Sequence, residues 1–92
     1  MMRQIIVTST GGPEVLSLRQ VPVPAPKPDE IRIRLVAAGL NFIDVYHRTG
    51  LYPVPLPSGL GLEGAGIVEA IGEEVTRFQI GDRAAFCSGP LG

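Results

Sequence analysis

Proline interrupts this chain more often than a long helix or a central strand allows. It takes every second position from 22 to 28, in "VPVPAPKPD", and again from 53 to 57, in "LYPVPLPSG". A residue without an amide hydrogen cannot donate to a sheet ladder, and its fixed φ breaks a helix interior. The first stretch (22–30) therefore reads as an extended, polyproline-like surface connector. A proline-motif ligand for another domain is the competing reading, and a loop between two strands is the simpler one. The second stretch is a further proline-rich loop over 51–59. Twelve glycines and nine prolines in 92 residues leave room only for short segments between frequent turns. The chain is expected to be mainly β.

The intervening segments carry clear periods. "RQIIVTS" (3–9) has a β-branched apolar centre of strand length, and "TGGPE" (10–14) is a turn. "VLSLRQVPV" (15–23) sets Val15, Ser17 and Arg19 against Leu16, Leu18 and Gln20, the pattern of a half-buried strand. "EIRIRLVAAG" (30–39) is the clearest strand: Ile31, Ile33 and Leu35 face one way, and Arg32 and Arg34 mark an exposed face. In "LNFIDVYHRTG" (40–50) the period changes. Phe42, Val45 and Tyr46 fall at i, i+3 and i+4, Asn41 can cap and Gly50 can stop, so one short helix is expected. "AGIVEAIG" (65–72) returns to strand chemistry, and Gly-Glu-Glu (72–74) turns it back with Glu73 and Glu74 in solvent. "FQIGDRAAFC" (78–87) passes through a Gly-Asp turn into a last strand, where Cys87 is expected as a small buried apolar residue. Nothing repeats at a fixed period, which excludes a solenoid. Short strands and one helix in this order point to a small, partly closed β-barrel.

A chain of this size holds one small domain with one core. Charged residues are 18% of it, the formal net charge is −1, and there is no Trp and only two Tyr. Without a basic stripe or stacking platform, nucleic acid is not an expected partner. One cysteine gives neither an internal disulfide nor a cysteine metal cluster, which suits a reducing cytosol. No apolar run reaches the ~20 residues that span a membrane, and "MMRQIIVTST" is too short and polar to read as a secretory signal. A cytoplasmic protein with no membrane partner is expected.

"GLGLEG" (59–64) fits the G-x-G-x-x-G pattern of dinucleotide-binding turns. That turn must lie between a strand and a helix whose N-terminus faces the pyrophosphate. Here "PVPLPS" precedes it and a strand-like "AGIVEAIG" follows, and the only acid near the required spacing lies in the "GDR" turn. The context fails. Gly59, Gly61, Gly64 and Gly66 are read instead as corners or points of close backbone packing where a loop enters a strand.

Extended to "GLEGAGIVEAIGEEVTRFQIGDRA" (61–84), the stretch resembles the signature of the medium-chain dehydrogenase/reductase superfamily. Zinc alcohol dehydrogenases there read Gly-His-Glu, then a glycine-rich strand, then Gly-Asp-Arg or Gly-Asp-Lys. "AAGLNFIDVYHRTGLYP" (37–53) is similar to the quinone oxidoreductase, or zeta-crystallin-like, branch, and "GGPEVL" (11–16) is similar to its opening turn. The three motifs agree in order and spacing and span essentially the whole chain. The resemblance implies a mainly β, partly open GroES-like barrel with one short helix. It implies that 1–92 is an N-terminal catalytic-domain segment, with the barrel continuing past "GPLG" and the Rossmann domain absent from this chain.

By that resemblance the first cysteine ligand of a catalytic zinc falls at Asn41 and the histidine at Leu62. An amide and an isobutyl group replace neither a thiolate nor an imidazole, Glu63 alone is not a site, and the structural-zinc cysteines have no counterpart beside Cys87. No metal is expected. Without a Lewis acid the acceptor must take hydride readily, as a quinone does on gaining aromaticity. The resemblance implies NADPH as donor, with the protein supplying orientation and exclusion of water. It places Asn41 at the nicotinamide end of the cleft and Asn41, Phe42, Ile43, Asp44, Val45 and Tyr46 in the cofactor-contacting stretch. Asn41, Tyr46 and Tyr52 are then the catalytic candidates, Tyr52 lining the quinone pocket. It also implies a homodimer for the full-length protein.

Each of these residues has a plainer reading. Asn41 can be a helix cap, Asp44 a first-turn acid favoured by the helix dipole, Phe42 and Ile43 core, Tyr46 packing and Tyr52 a surface-loop residue. Histidine as a residue type invites a general-base reading, but the resemblance gives His47 no role and it is read as structural. The rival functions are an enal or enone reductase of the same superfamily and a stand-alone binding module. The isolated chain is expected to be inactive.

Overall fold

The computed structural model describes residues 1–89 and 91. In chain order the elements are β1 (Met2–Val7), a single 3-10 turn (Pro13–Val15), β2 (Leu16–Val21), β3 (Ile31–Ala38), α1 (Phe42–Thr49), β4 (Ser58–Gly59), β5 (Gly64–Ile71) and β6 (Arg83–Phe86). They form two three-stranded antiparallel sheets, ordered β2-β1-β4 and β3-β5-β6. Among the described residues no strand of one sheet pairs with a strand of the other, so the barrel is open. The fold is mainly β with one helix, as the sequence predicts. Among the described residues no helix is long and apolar enough to cross a membrane.

The first sheet begins with a hairpin whose register sets Ile5 opposite Leu18 and Val7 opposite Leu16. Its Gly-Gly-Pro connection closes through Val15 N–H donating to the Gly12 carbonyl at 3.1 Å. Pro13 opens the 3-10 turn, where its missing N–H costs nothing, so Val15 belongs to the turn and β2 starts one residue later than expected. The half-buried reading of β2 is corrected as well. Leu16 and Leu18 are both exposed, because nothing in the described residues covers the apolar side of this end of the hairpin. The loop over 51–59 ends in a strand that the prolines had hidden: once Pro57 is passed, Ser58 and Gly59 pair with Val7 and Ile6. The Leu56–Pro57 bond is cis.

In the second sheet β3 and β5 pair with two irregularities. The register runs from Arg32↔Ala70 to Ile33↔Val68 and from Leu35↔Gly66 to Ala37↔Ala65, leaving Glu69 and Val36 without cross-strand partners. These are β-bulges, which break strict alternation and turn side chains off their expected faces. Glu69 thereby meets Arg32, whose Nε donates to its Oε2 at 2.8 Å while Nη1 donates to the Pro24 carbonyl at 3.1 Å. Arg32 is thus half-buried and paired rather than free on an exposed face; Arg34 is exposed as expected. The proline connector is pinned at its far end too, where Gly72 N–H donates to Glu30 O and Glu74 N–H to Pro28 O, both at 2.8 Å.

Two apolar side chains, Val7 and Val68, are fully buried among the described residues. Beside Val68, Gly66 lets β5 approach β3 closely, since a Cβ there would overlap the Arg34 carbonyl. The glycines of "GLGLEGAG" therefore serve the chain path: Gly61 takes a φ of 101° and Gly64 opens β5. Strand β6 ends at Phe86, and Cys87 is exposed just beyond it, which corrects the expectation of a buried strand cysteine.

Candidate functional site

Three residues, Gly39 to Asn41, separate the end of β3 from α1, and the first turn of the helix is organised by two residues. Asn41 sits at the N-cap with extended backbone (φ −127°, ψ 160°). Its N–H donates to Asp44 Oδ2 at 2.9 Å, and Asp44 N–H donates back to the Asn41 carbonyl at 3.1 Å. An acid in the first turn also complements the partial positive charge of the helix N-terminus. Asp44 is 2% exposed and is the one fully buried charged side chain among the described residues. Its other oxygen, Oδ1, has no hydrogen-bond partner among the described residues.

The far end of α1 is fixed by Gly50, which adopts the left-handed conformation (φ 88°) and donates its N–H to Tyr46 O at 3.1 Å. The chain then doubles back, and Tyr52 N–H donates to the same carbonyl at 3.2 Å. This turn brings the Tyr52 ring edge-on to Tyr46, with centroids 5.1 Å apart and planes at 65°. Arg48 ties the helix to the β1–β2 turn: Gly11 N–H donates to Arg48 O at 3.0 Å, and Arg48 Nε donates to Gly11 O at 3.2 Å.

The structure thus pairs Asn41 with Asp44 and Tyr46 with Tyr52 on one helix and the turn that follows it. Asn41 is exposed and so is Phe42, at 82%, which removes Phe42 from any core. Ile43, Val45, Tyr46 and His47 are half-buried, and Tyr52 is exposed. The solvent-facing set is therefore one amide and two aromatic rings. Among the described residues no three His, Cys, Asp or Glu side chains gather as metal ligands would.

An open groove of about 560 Å³ lies at the ends of β3, β5 and β6, lined by Ala38, Gly39, Glu63, Gly64, Phe86 and Cys87 among others. None of the helix candidates lines it, although Gly39 precedes Asn41 closely in the chain. Glu63 folds over Gly39, where a Cβ would strike its carboxylate, and Gly39 N–H donates to Glu63 O at 3.2 Å. The sequence reading set Glu63 aside as a lone carboxylate and gave Arg48 no role. The first was hidden because its contact depends on a glycine with no side chain. The second was hidden because its partner is a backbone carbonyl far away in sequence.

Residues 27–90 match the alcohol dehydrogenase GroES-like domain family. A quinone oxidoreductase of Pseudomonas aeruginosa is 59% identical over 93 residues, covering 100% of this chain and 29% of that protein. A quinone oxidoreductase of Pseudomonas syringae pv. tomato superposes with a TM-score of 0.93 at 57% identity, over 100% of this chain and 29% of that one. The Escherichia coli quinone oxidoreductase complexed with NADPH gives a TM-score of 0.92 at 44% identity, over 95% of this chain and 27% of that one. The chain therefore spans less than a third of the length of the proteins it matches. With these similarities added to the open double sheet and its single helix, the chain belongs to the alcohol dehydrogenase GroES-like domain family, homologous to the N-terminal part of quinone oxidoreductases of the medium-chain dehydrogenase/reductase superfamily.

Proposed function

We propose that this chain is the N-terminal segment of the catalytic domain of a zinc-independent, NADPH-dependent quinone oxidoreductase, and that the surface of α1 forms one wall of its hydride-transfer cleft. The observation that carries this reading is the set presented at the helix: the exposed Asn41 amide and Phe42 ring, and the exposed Tyr52 ring stacked edge-on against half-buried Tyr46. An amide that both donates and accepts suits the carboxamide edge of a nicotinamide. Aromatic rings beside it suit a second planar molecule.

The residues fit only the reactive end of a dinucleotide. Among the described residues α1 is entered from β3 through Gly39, Leu40 and Asn41, which carry a single glycine and not the glycine-rich turn that holds a pyrophosphate. The rest of the cofactor would be held by polypeptide outside 1–92. That assignment is supported by large apolar side chains lying open near the helix, Val36 at 78% and Leu40 at 85% exposed, a surface suited to burial against further chain.

NADPH supplies the hydride from its nicotinamide ring when bound. In this reading Asn41 orients that ring, Ile43, Val45 and Tyr46 shape the wall around it, and Asp44 stands behind Asn41. Tyr46 and Tyr52 hold the acceptor's plane and keep water from it. Asn41 and Leu62 occupy the positions where zinc relatives carry ligands, so proton delivery falls to solvent or a hydroxyl. The full-length protein acts as a homodimer in the cytoplasm.

The test is NADPH oxidation by the full-length protein with quinones and, in parallel, with enals and enones. Quinone turnover without added metal is the expected result. Turnover confined to enals or enones would reassign the acceptor, and no NADPH oxidation with any of them would leave a binding module. Isolated 1–92 should neither turn over nor bind NADPH tightly.

A further inference from the structure

The oddest group in the chain is the Asp44 carboxylate. A first-turn acid stabilises a helix from an exposed position, and an N-cap side chain does so without any buried charge. Burying a carboxylate is costly unless it is well partnered. Asp44 is nonetheless 2% exposed, with one oxygen accepting from the Asn41 N–H and the other without a partner among the described residues. The Asn41–Asp44 pair is a helix capping box, which accounts for the hydrogen bond; it works equally from an exposed acid, so capping does not account for the burial.

What burial adds is immobility. A carboxylate enclosed on all sides cannot swing into solvent, so the Asn41 N–H has a partner at one fixed point. Asp44 meets Asn41 twice, through Oδ2 and through its own N–H to the Asn41 carbonyl. The next residue back, Leu40, is 85% exposed, so packing does little to steady the approach from β3. The Asn41 amide side chain projects from a backbone whose direction is set largely by Asp44.

We propose that Asp44 is a positioning residue: its buried carboxylate fixes the Asn41 peptide, and through it the exposed amide that orients the nicotinamide. This rests on the function proposed above. It assigns the Asp44 side chain no direct contact with the cofactor, its effect passing through Asn41.

The experiment is a double-mutant cycle in the full-length protein with Asp44→Ala, Asn41→Ala and the double variant, together with Asp44→Asn, which keeps an oxygen able to accept from Asn41. Asp44→Ala is expected to lower kcat by about 10- to 100-fold, the scale of a small misplacement at a reacting centre, with a much smaller change in KM for NADPH. In the Asn41→Ala background the same substitution should add little. Asp44→Asn should recover most of the rate. Independent multiplication of the two effects, or Asp44→Asn as impaired as Asp44→Ala, overturns the proposal.

Hydrogen exchange at the Asn41 amide reads the hold directly, without turnover. It should be slow in the wild type and in Asp44→Asn and fast in Asp44→Ala; equal rates in all three overturn the proposal. If Asp44→Ala does not fold, Asp44→Ser, too short to reach, takes its place. If the wild type reduces no quinone, the proposed function falls, and the exchange rates still decide the role of Asp44.

Discussion

Tyr52 meets Tyr46 edge-to-face at 5.1 Å and donates its backbone N–H to the Tyr46 carbonyl at 3.2 Å, so ring and main chain are joined at the same place. The pair is built by the chain reversal at Gly50 and needs no other element. Removing one ring should therefore leave the helix intact while opening the aromatic surface. In the full-length protein Tyr52→Ala is expected to raise KM for a quinone several-fold, from loss of a contact worth about 0.5–1.5 kcal/mol. Tyr52→Phe should remain near wild type in KM. Steady-state kinetics over a quinone concentration series checks both.

Gly50 has the left-handed conformation, and a Cβ added to it would stand 3.1 Å from the Thr10 methyl. Gly81 has a similar φ of 99° with open space around it. Gly50→Ala should therefore cost more than Gly81→Ala, whose penalty is backbone strain alone, about 1–2 kcal/mol. Denaturant midpoints of the two full-length variants give the ordering.

At Gly66 the obstacle is main chain, which cannot rotate away as a side chain can. Gly66→Ala must push β5 from the Arg34 carbonyl, and a loss of about 1–3 kcal/mol is expected, as for other overpacked sites. Equilibrium unfolding of the full-length variant measures it. An unchanged midpoint would show that the two strands separate freely there.

Arg32 serves both Glu69 and the Pro24 carbonyl, whereas Glu69 serves only Arg32 among the hydrogen bonds described. Both side chains are about a third exposed, so the ion pair itself is worth little, about 0.2–1 kcal/mol. Arg32→Ala should destabilise more than Glu69→Ala, and the Glu69 effect should shrink in high salt. Thermal unfolding at two ionic strengths separates the contributions.

Zinc removal gives a further check. The full-length protein treated with a chelator should keep its NADPH oxidation, and elemental analysis should find zinc well below one per chain. Stoichiometric zinc whose removal abolishes turnover would contradict the reading of Asn41 and Leu62.

The helix was legible because its signals are local: Asn41 before it, Gly50 after it and an apolar stripe between. The strand cores were legible for the same reason. The bulges at Val36 and Glu69 were not, since a period of two cannot announce an extra residue, and with them went the partner of Arg32. The strand at Ser58–Gly59 was hidden by the prolines before it and exists only because β1 offers it an edge. In the site, the tyrosines and the cap could be read from residue type and spacing. The enclosure of Asp44 could not, because burial is decided by what folds over a residue and not by its neighbours in sequence.

The tie between Gly11 and Arg48 has one mechanical outcome. Among the described residues the two sheets share no strand pairing, and this pair of hydrogen bonds clamps the amino-terminal hairpin to the rod that carries Tyr46. Arg48 lies within one turn of the Gly50 reversal that sets Tyr52 against Tyr46, so a glycine of the first hairpin turn is anchored beside the segment that shapes the aromatic surface.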